Sequence, residues 1–98
     1  MKFKIPSQFS LGCRSIKVVS VAKCSGCDDN VDGQAVYSRG VIELKDTTKS
    51  SKEYRDFVFF HELVHHIFNF LAYDKLAKDE ALTDRFADAL YQVIKTME

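Results

Sequence analysis

The sequence predicts an α+β fold in which a small, mostly antiparallel sheet of three or four strands packs on a long helix and is followed by a second helix. Short β-branched segments separated by turns fill the first half of the chain, and the second half changes to a helical period. With 98 residues, 46% of them hydrophobic, the chain is long enough for one core. We therefore expect a single domain, with a β-rich part over residues 1–48 and helices over residues 50–73 and 79–97.

The β-rich part divides at its turn residues. Four segments have the alternating or β-branched pattern of strands: residues 2–5, 15–23, 34–38 and 41–45. Pro6 ends the first segment, and the polar stretch 24–33 predicts a loop after the second. Gly40 can adopt the positive φ that a tight hairpin needs, so the last two segments are predicted to pair.

The first helix is predicted from a cap and a long run without a breaker. Ser50 or Ser51 can cap it, and Glu53 follows closely. From residue 54 to residue 73 the chain contains neither Gly nor Pro and is apolar on most of the helical circumference. We expect a helix of this kind to be largely buried.

A second helix is predicted over residues 79–96, after a polar connection at residues 73–78. The pattern places an apolar stripe on one face: Leu82, Phe86, Leu90, Val93 and Met97. The opposite, solvated face consists of Lys78, Arg85, Asp88, Gln92 and Lys95.

Charge and cysteine content exclude several classes of protein. Fourteen basic and fourteen acidic residues give zero net charge, which argues against a nucleic-acid binder. No apolar run reaches the ~18 residues of a membrane span, and the first residues lack the pattern of a signal peptide. Three cysteines, an odd number, are typical of a reducing compartment, so we expect a cytoplasmic protein.

The strongest functional signal is the segment HELVH at residues 61–65. On a helix with ~3.6 residues per turn, His61 and His65 project from one face and can converge on one metal ion. Glu62 projects ~100° away and can take a proton from a metal-bound water. The alternative is a histidine pair hydrogen-bonded in a core, although a carboxylate in this apolar helix needs a partner such as a metal-bound water.

A catalytic zinc usually has three protein ligands, so a third is expected downstream. Glu80 is the candidate, because it begins the second helix fifteen positions after His65. Asp84 lies one turn further on the same face and can orient a ligating histidine through a hydrogen bond. The alternative for Glu80 is the ordinary preference of acidic residues for the first turn of a helix.

These motifs resemble those of the gluzincin metallopeptidases, in which HExxH is followed by ExxxD. Residues 80–87, EALTDRFA, resemble the ExxA(N/D)xFA signature of the ImmA/IrrE family, with Thr83 where that signature has Ala. Chain length and element order are similar to those of minigluzincins and small phage-encoded members of that family. The resemblance covers roughly residues 34–98.

The resemblance implies a zincin-like fold and a zinc-dependent peptidase. One Zn²⁺ would be held by His61, His65 and Glu80, with Glu62 as general base and acid and Asp84 as support. It further implies that residues 41–45 lie inside the sheet and that the segment at its free edge pairs with an extended peptide or protein substrate: Gln34, Ala35, Val36, Tyr37 and Ser38. Two alternatives stay open: an edge strand that binds nothing, and a zinc-bearing regulatory or protein-binding module with little or no peptidase activity.

Several residues complete the list of candidates. His66 is predicted to be partly exposed rather than a ligand, and four side chains are candidate oxyanion donors although no spacing indicates them: Tyr37, His66, Arg85 and Tyr91. Cys24 and Cys27 form a CxxC, with Cys13 as a third thiol, but a structural zinc would lack its fourth ligand. Residues 28–33 match the start of a calcium loop whose twelfth position is Arg39 instead of Glu, so a polar turn is the expected structure.

Overall fold

A computed structural model describes residues 3–27, 30–46 and 51–97. The elements in chain order are β1 Gln8–Leu11, β2 Arg14–Val21, β3 Gly33–Val36, a 3₁₀ turn Tyr37–Arg39, β4 Val41–Lys45, α1 Lys52–Phe70, α2 Asp74–Ala77 and α3 Glu80–Thr96. The α+β class is therefore confirmed. That α1 is the helix of an active site stays a prediction.

The four strands form a mixed sheet in the order β1-β2-β4-β3. The pairs β1–β2 and β3–β4 are antiparallel, but β2 and β4 are parallel, so the expectation of a mostly antiparallel sheet holds only in part. The chain reverses twice between β2 and β4, once before β3 and once after it, and therefore enters β4 in the direction of β2. β4 lies inside the sheet, and β3 forms a free edge.

The strand expected at residues 2–5 is not part of this sheet. Residues 3–6 have no regular structure, and residue 2 lies outside the described residues. Phe3 and Ile5 instead pack against the core, and the first strand is β1. Gly12, with a φ of 64°, forms the two-residue turn between β1 and β2 together with Cys13.

The predicted hairpin at Gly40 is confirmed, because Gly40 has a φ of 62° and separates β3 from β4. β3 ends at Val36, however, and Tyr37 and Ser38 belong to the 3₁₀ turn. The expected strand over residues 34–38 is therefore two residues too long, since the tight turn already needs those positions.

α1 begins as the sequence predicts, because the side chain of Ser51 accepts a hydrogen bond from the backbone N–H of Tyr54. Ser50 lies outside the described residues. The helix ends at Phe70 rather than at residue 73. Ala72 adopts a left-handed φ of 61°, and the N–H of Tyr73 bonds to the carbonyl of Phe68. The polar connection predicted after α1 contains the short helix α2.

The core lies between the sheet, α1 and α3, and consists of Ile16, Ile42, Leu44, Phe59, Phe60, Val64, Phe68, Ala87 and Tyr91. α3 presents Thr83, Ala87 and Tyr91 to this core. The predicted apolar stripe of α3 is therefore wrong in part, since Phe86 and Val93 are 46% and 54% exposed. Small residues at two of the buried positions let the backbones of α1 and α3 approach, which explains why a less apolar face packs inward.

Two buried carboxylates in the interior have hydrogen-bond partners. Asp56 of α1 is 2% exposed, and its Oδ2 accepts hydrogen bonds from Tyr91 Oη at 3.1 Å and from Lys52 Nζ at 2.8 Å. Glu43 of β4 is 4% exposed, and Ser25 donates to its carboxylate through both its N–H and its hydroxyl. None of the helices in the described parts of the chain is long and apolar enough to cross a membrane.

Candidate metal centre

Two histidines of α1 and the first residue of α3 meet at one point. His61 and His65 lie one turn apart, and their Nε2 atoms are 3.2 Å from each other. Glu80 reaches both rings, with Oε2 at 2.9 Å from His61 Nε2 and Oε1 at 3.2 Å from His65 Nε2. Asp79 caps α3 by accepting from the N–H of Leu82, which fixes the start of the helix and thereby the position of Glu80.

These three side chains can hold a metal ion, because one ligand atom from each lies within 4.8 Å of the others. Ligands at ~2.0–2.2 Å from a tetrahedral zinc are separated by about 3.3 Å from one another. The two Nε2 atoms are 3.2 Å apart, close to that value, and each lies 2.9 or 3.2 Å from a different oxygen of the Glu80 carboxylate. Two imidazoles and one carboxylate are also a ligand set that zinc accepts.

The groups around the two histidines differ. Asp84 Oδ1 lies 2.8 Å from His61 Nδ1, so the ring can donate that N–H to the carboxylate and keep the lone pair of Nε2 for a metal. His65 Nδ1 is buried and has no hydrogen-bond partner among the described residues. The orientation of the His61 ring is therefore fixed by a hydrogen bond at Nδ1, whereas the His65 ring has no such bond among the described residues.

Glu62 lies beside the two histidines and is buried, with 8% of its surface exposed. Burial is the main cause that raises its pKa, to about 7; His61 opposes the rise, and the nearby Glu80 carboxylate adds to it. The backbone N–H of Ala35 on the edge strand donates a hydrogen bond to the Glu62 carboxylate. A carboxyl group with this pKa can exchange a proton near neutral pH.

Gly33 allows the edge strand to approach α1 at this point. A Cβ on Gly33 would lie 2.5 Å from Val58 Cγ1 and 3.3 Å from Glu62 Oε2. No side chain fits there without displacing one of the two groups. Sequence analysis assigned Gly33 to a polar loop and missed this role, because the contact joins residues that are far apart along the chain.

The candidate ligand atoms border a cavity of about 490 Å³ between β3, α1 and the start of α3. Gln34, Ala35 and Tyr37 line it, whereas Val36 and Ser38, the other two predicted substrate-binding residues, do not. Ala77 and Lys78 also line the cavity and were not predicted to belong to the site. The polar pattern of residues 73–78 contained no signal that this connection returns to the histidines.

The four candidate oxyanion donors lie in different parts of the structure. Tyr37 lines the cavity, and burial is the main cause that raises the pKa of its phenol, so that it stays protonated. Tyr91 lies in the core against Asp56, and Arg85 is exposed on α3 and does not line the cavity. His66 is not partly exposed as predicted but 2% exposed, and its Nε2 donates to the carbonyl of Val41 at 2.9 Å.

The remaining sequence motifs do not form a second metal site among the described residues. The thiols of Cys24 and Cys27 donate hydrogen bonds to the Val31 carbonyl and to the Gln34 side chain, and Cys13 is exposed in the β1–β2 turn. Part of the predicted polar turn, residues 28 and 29, lies outside the described residues.

Comparison of the chain with family models, with curated proteins and with solved structures finds no match. The case for a metal centre therefore depends on the geometry and chemistry of the residues themselves. The convergence of His61, His65 and Glu80, with a buried carboxyl group beside them, is the central observation.

Proposed function

We propose that this protein is a zinc-dependent peptidase. One observation carries the proposal: one ligand atom each from His61, His65 and Glu80 converge within 4.8 Å of one another, and the buried Glu62 lines the same cavity. Three protein ligands leave one coordination position for a water molecule, as in catalytic zinc sites. A bound zinc ion would lower the pKa of this water and polarise the carbonyl of the peptide bond.

Glu62 is the proposed general base and acid. It belongs to α1 but is not one of the three converging ligands, so its carboxylate is available for proton transfer. Without a metal ion its pKa is about 7, and its carboxylate would accept a proton from the attacking water and return it to the leaving amine. Burial excludes bulk water from the carboxyl group and thereby maintains this pKa.

The free edge of the sheet is the proposed binding surface for an extended peptide. The N–H of Ala35 points away from β4 and already bonds to Glu62. The carbonyl of the same residue points to the same side of the strand and is the group that would pair with a peptide. Gln34 and Ala35 line the cavity that contains the metal-binding atoms. A peptide paired with β3 would pass directly over the converging ligands.

Tyr37 is the proposed donor to the oxyanion that develops on the scissile carbonyl. Of the four candidates from the sequence, it alone lines the cavity. Its ring is held by an edge-to-face contact with His66, with the ring centroids 5.3 Å apart. A positioned donor of this kind contributes about 10²–10³-fold to the rate of acyl transfer.

Zinc content and cleavage of an unfolded protein such as casein test the proposal together. We expect the untagged protein to bind one zinc per chain and to cleave casein. Glu62→Gln should keep the zinc and lose at least about 100-fold in cleavage rate. Glu53→Gln, which changes an exposed glutamate at the start of the same helix, is the matched control and should keep both properties.

Two other results would contradict the proposal. A protein that binds no zinc has no metal centre of this kind. A protein that binds zinc but cleaves no unfolded substrate would instead be a zinc-bearing binding or regulatory module. In that case Glu62→Gln would have no cleavage to lose, and the variant would equal the parent in both measurements.

A further inference from the structure

A second cavity, of about 260 Å³, lies between the β1–β2 turn and the last turns of α1. It shares no lining residue with the cavity of the proposed metal centre. At about 30 Å³ per water molecule, its volume corresponds to roughly nine waters, which suits a molecule of about ten non-hydrogen atoms. Nothing in the proposed peptidase mechanism uses this cavity.

The walls of the cavity are mainly apolar. Leu11 of β1, Ile16 of β2 and Phe70 of α1 contribute them. Gly12 permits this arrangement, because a Cβ at that position would lie 2.5 Å from Phe70 Cε1. The glycine therefore lets the phenyl ring close one side of the cavity, although 54% of the Phe70 surface is still exposed.

Arg14 provides the charge at this cavity. It lines the cavity and forms no ion pair with any of the described residues. Its guanidinium passes over Gly40, where a Cβ would lie 2.9 Å from Arg14 Nε, so the absence of a side chain at Gly40 makes room for it. An unpaired guanidinium beside apolar walls is complementary to a carboxylate attached to an apolar group.

The other polar groups that line the cavity add no negative charge. Asn69 offers an amide and Cys13 a thiol, and the imidazole of His66 is anchored through its Nε2 to the Val41 carbonyl. No acidic side chain lines the cavity to compete with a ligand for Arg14. The combination of an apolar cavity with a few convergent polar groups is typical of small-molecule sites.

We propose that this cavity binds a small apolar carboxylate, with its carboxyl group on Arg14 and its apolar part against Leu11, Ile16 and Phe70. This proposal is independent of the peptidase proposal, because neither the cavity nor its charge belongs to the metal centre. The small volume favours a free organic acid over a segment of another protein.

The test is a ¹⁵N-NMR titration of the full chain with 3-phenylpropanoate, and in parallel with the uncharged 3-phenylpropanamide. We expect saturable shifts at the amides of residues 11–16 and 66–70 with the acid, and binding of the amide at least about tenfold weaker. Arg14→Gln should weaken binding of the acid at least about tenfold, because it removes the charge-assisted hydrogen bonds. Lys17→Gln, which removes a charge three residues along the same strand, should leave the affinity unchanged.

A second variant tests the cavity itself. Asn69→Phe keeps the backbone carbonyl that bonds to Ala72 and places a ring in the cavity, so it should abolish the saturable shifts. The proposal is wrong if no residue of the cavity shifts, or if Lys17→Gln weakens binding as much as Arg14→Gln. Equal binding of acid and amide would overturn it, and so would much tighter binding of a peptide that ends in a leucine carboxylate.

Discussion

Asp84 is placed to support the proposed metal site without ligating the ion. Its Oδ1 lies 2.8 Å from His61 Nδ1 and fixes the ring so that Nε2 faces Glu80. We expect Asp84→Asn to weaken zinc binding about 10- to 100-fold, measured by competition with a chelator. Asp88→Asn, one turn further along α3 and exposed, is the matched control and should bind zinc like the parent. Equal losses of zinc affinity in the two variants would show that the effect comes from the overall charge of the protein and not from the contact between Asp84 and His61.

Tyr91 makes a buried polar contact that does not belong to the candidate metal centre. Its hydroxyl donates to Asp56, whose carboxylate is buried between α1 and α3. Tyr91→Phe should lower the free energy of unfolding by about 1–3 kcal/mol, because a buried charged acceptor loses one of its partners. Tyr73→Phe removes a hydroxyl from a tyrosine that is 58% exposed and should change stability by less than about 0.5 kcal/mol in the same denaturant titration. An equal effect of both variants would contradict the assigned contact.

Among the elements, α3 shows that the periodicity of apolar residues is not enough to predict which face of a helix is buried. The sequence predicts that the face with Leu82, Phe86 and Leu90 is buried, but the structure buries the neighbouring face with Thr83, Ala87 and Tyr91. Ala87→Leu should destabilise the protein by about 1–3 kcal/mol, because Ala87 has no exposed surface and the added atoms overpack the contact with α1. Ala89→Leu, on the exposed side of the same helix, should stay within about 0.5 kcal/mol. If Ala89→Leu destabilised the protein more than Ala87→Leu in denaturant unfolding, the face that contains Ala87 would not be the buried one.

Glu43 connects β4 to the loop after β2 and makes the stability dependent on pH. Burial by itself raises the pKa of Glu43, but the two hydrogen bonds from Ser25 and the charge of Arg39 outweigh it, so the pKa lies below its ordinary value of 4.5. A lowered pKa in the folded state means that the ionised form stabilises the protein above pH 4.5 and that this contribution is lost as the pH falls further.

Glu43→Gln removes the ionisable group and tests this sign. At pH 7 the variant should unfold about 1–3 kcal/mol more easily than the parent, since hydrogen bonds to a charged acceptor are weakened. The difference should shrink as the pH is lowered from 5 to 3, in denaturant titrations at each pH. Glu53→Gln, at an exposed position of α1, should show no comparable change with pH. If the difference in the free energy of unfolding between parent and variant grew as the pH fell, the pKa of Glu43 would be raised by folding and not lowered.

The ends of the elements show what the sequence could and could not predict. Gly40 and Ser51 are residue types with strong local preferences, and the turn and the helix start that they predicted are confirmed. The end of α1 was missed because its left-handed residue is Ala72 and not the usual glycine. Local preference therefore identifies an element when its boundary carries a specialised residue and fails when an ordinary residue is held there by the rest of the fold.

At the scale of the whole molecule, the site also has features that depend on local geometry and features that depend on the packing of distant elements. Only the first kind could be predicted from the sequence. The spacing of His61 and His65 predicted that both face one point, because it depends only on helical geometry. The approach of Gly33 to Glu62, and the return of Lys78 to the same cavity, depend on how the sheet and helices pack together. No local pattern contains that information, and these residues became visible only in the folded chain.

Because the three proposed ligands come from two helices, the metal should couple the packing of α1 and α3 to the stability of the whole molecule. An ion that binds only the folded state adds about 2.7 kcal/mol at a free concentration 100 times its Kd. For a chain of this length we expect zinc to raise the Tm by about 10–20 °C in thermal unfolding, whereas magnesium should not. Glu80→Gln should lose most of this shift, since it removes the ligand supplied by α3, and Glu53→Gln should keep it. If Glu80→Gln gains as much stability from zinc as the parent, the ion is bound elsewhere, and the convergence of the three side chains reflects only hydrogen bonding between helices.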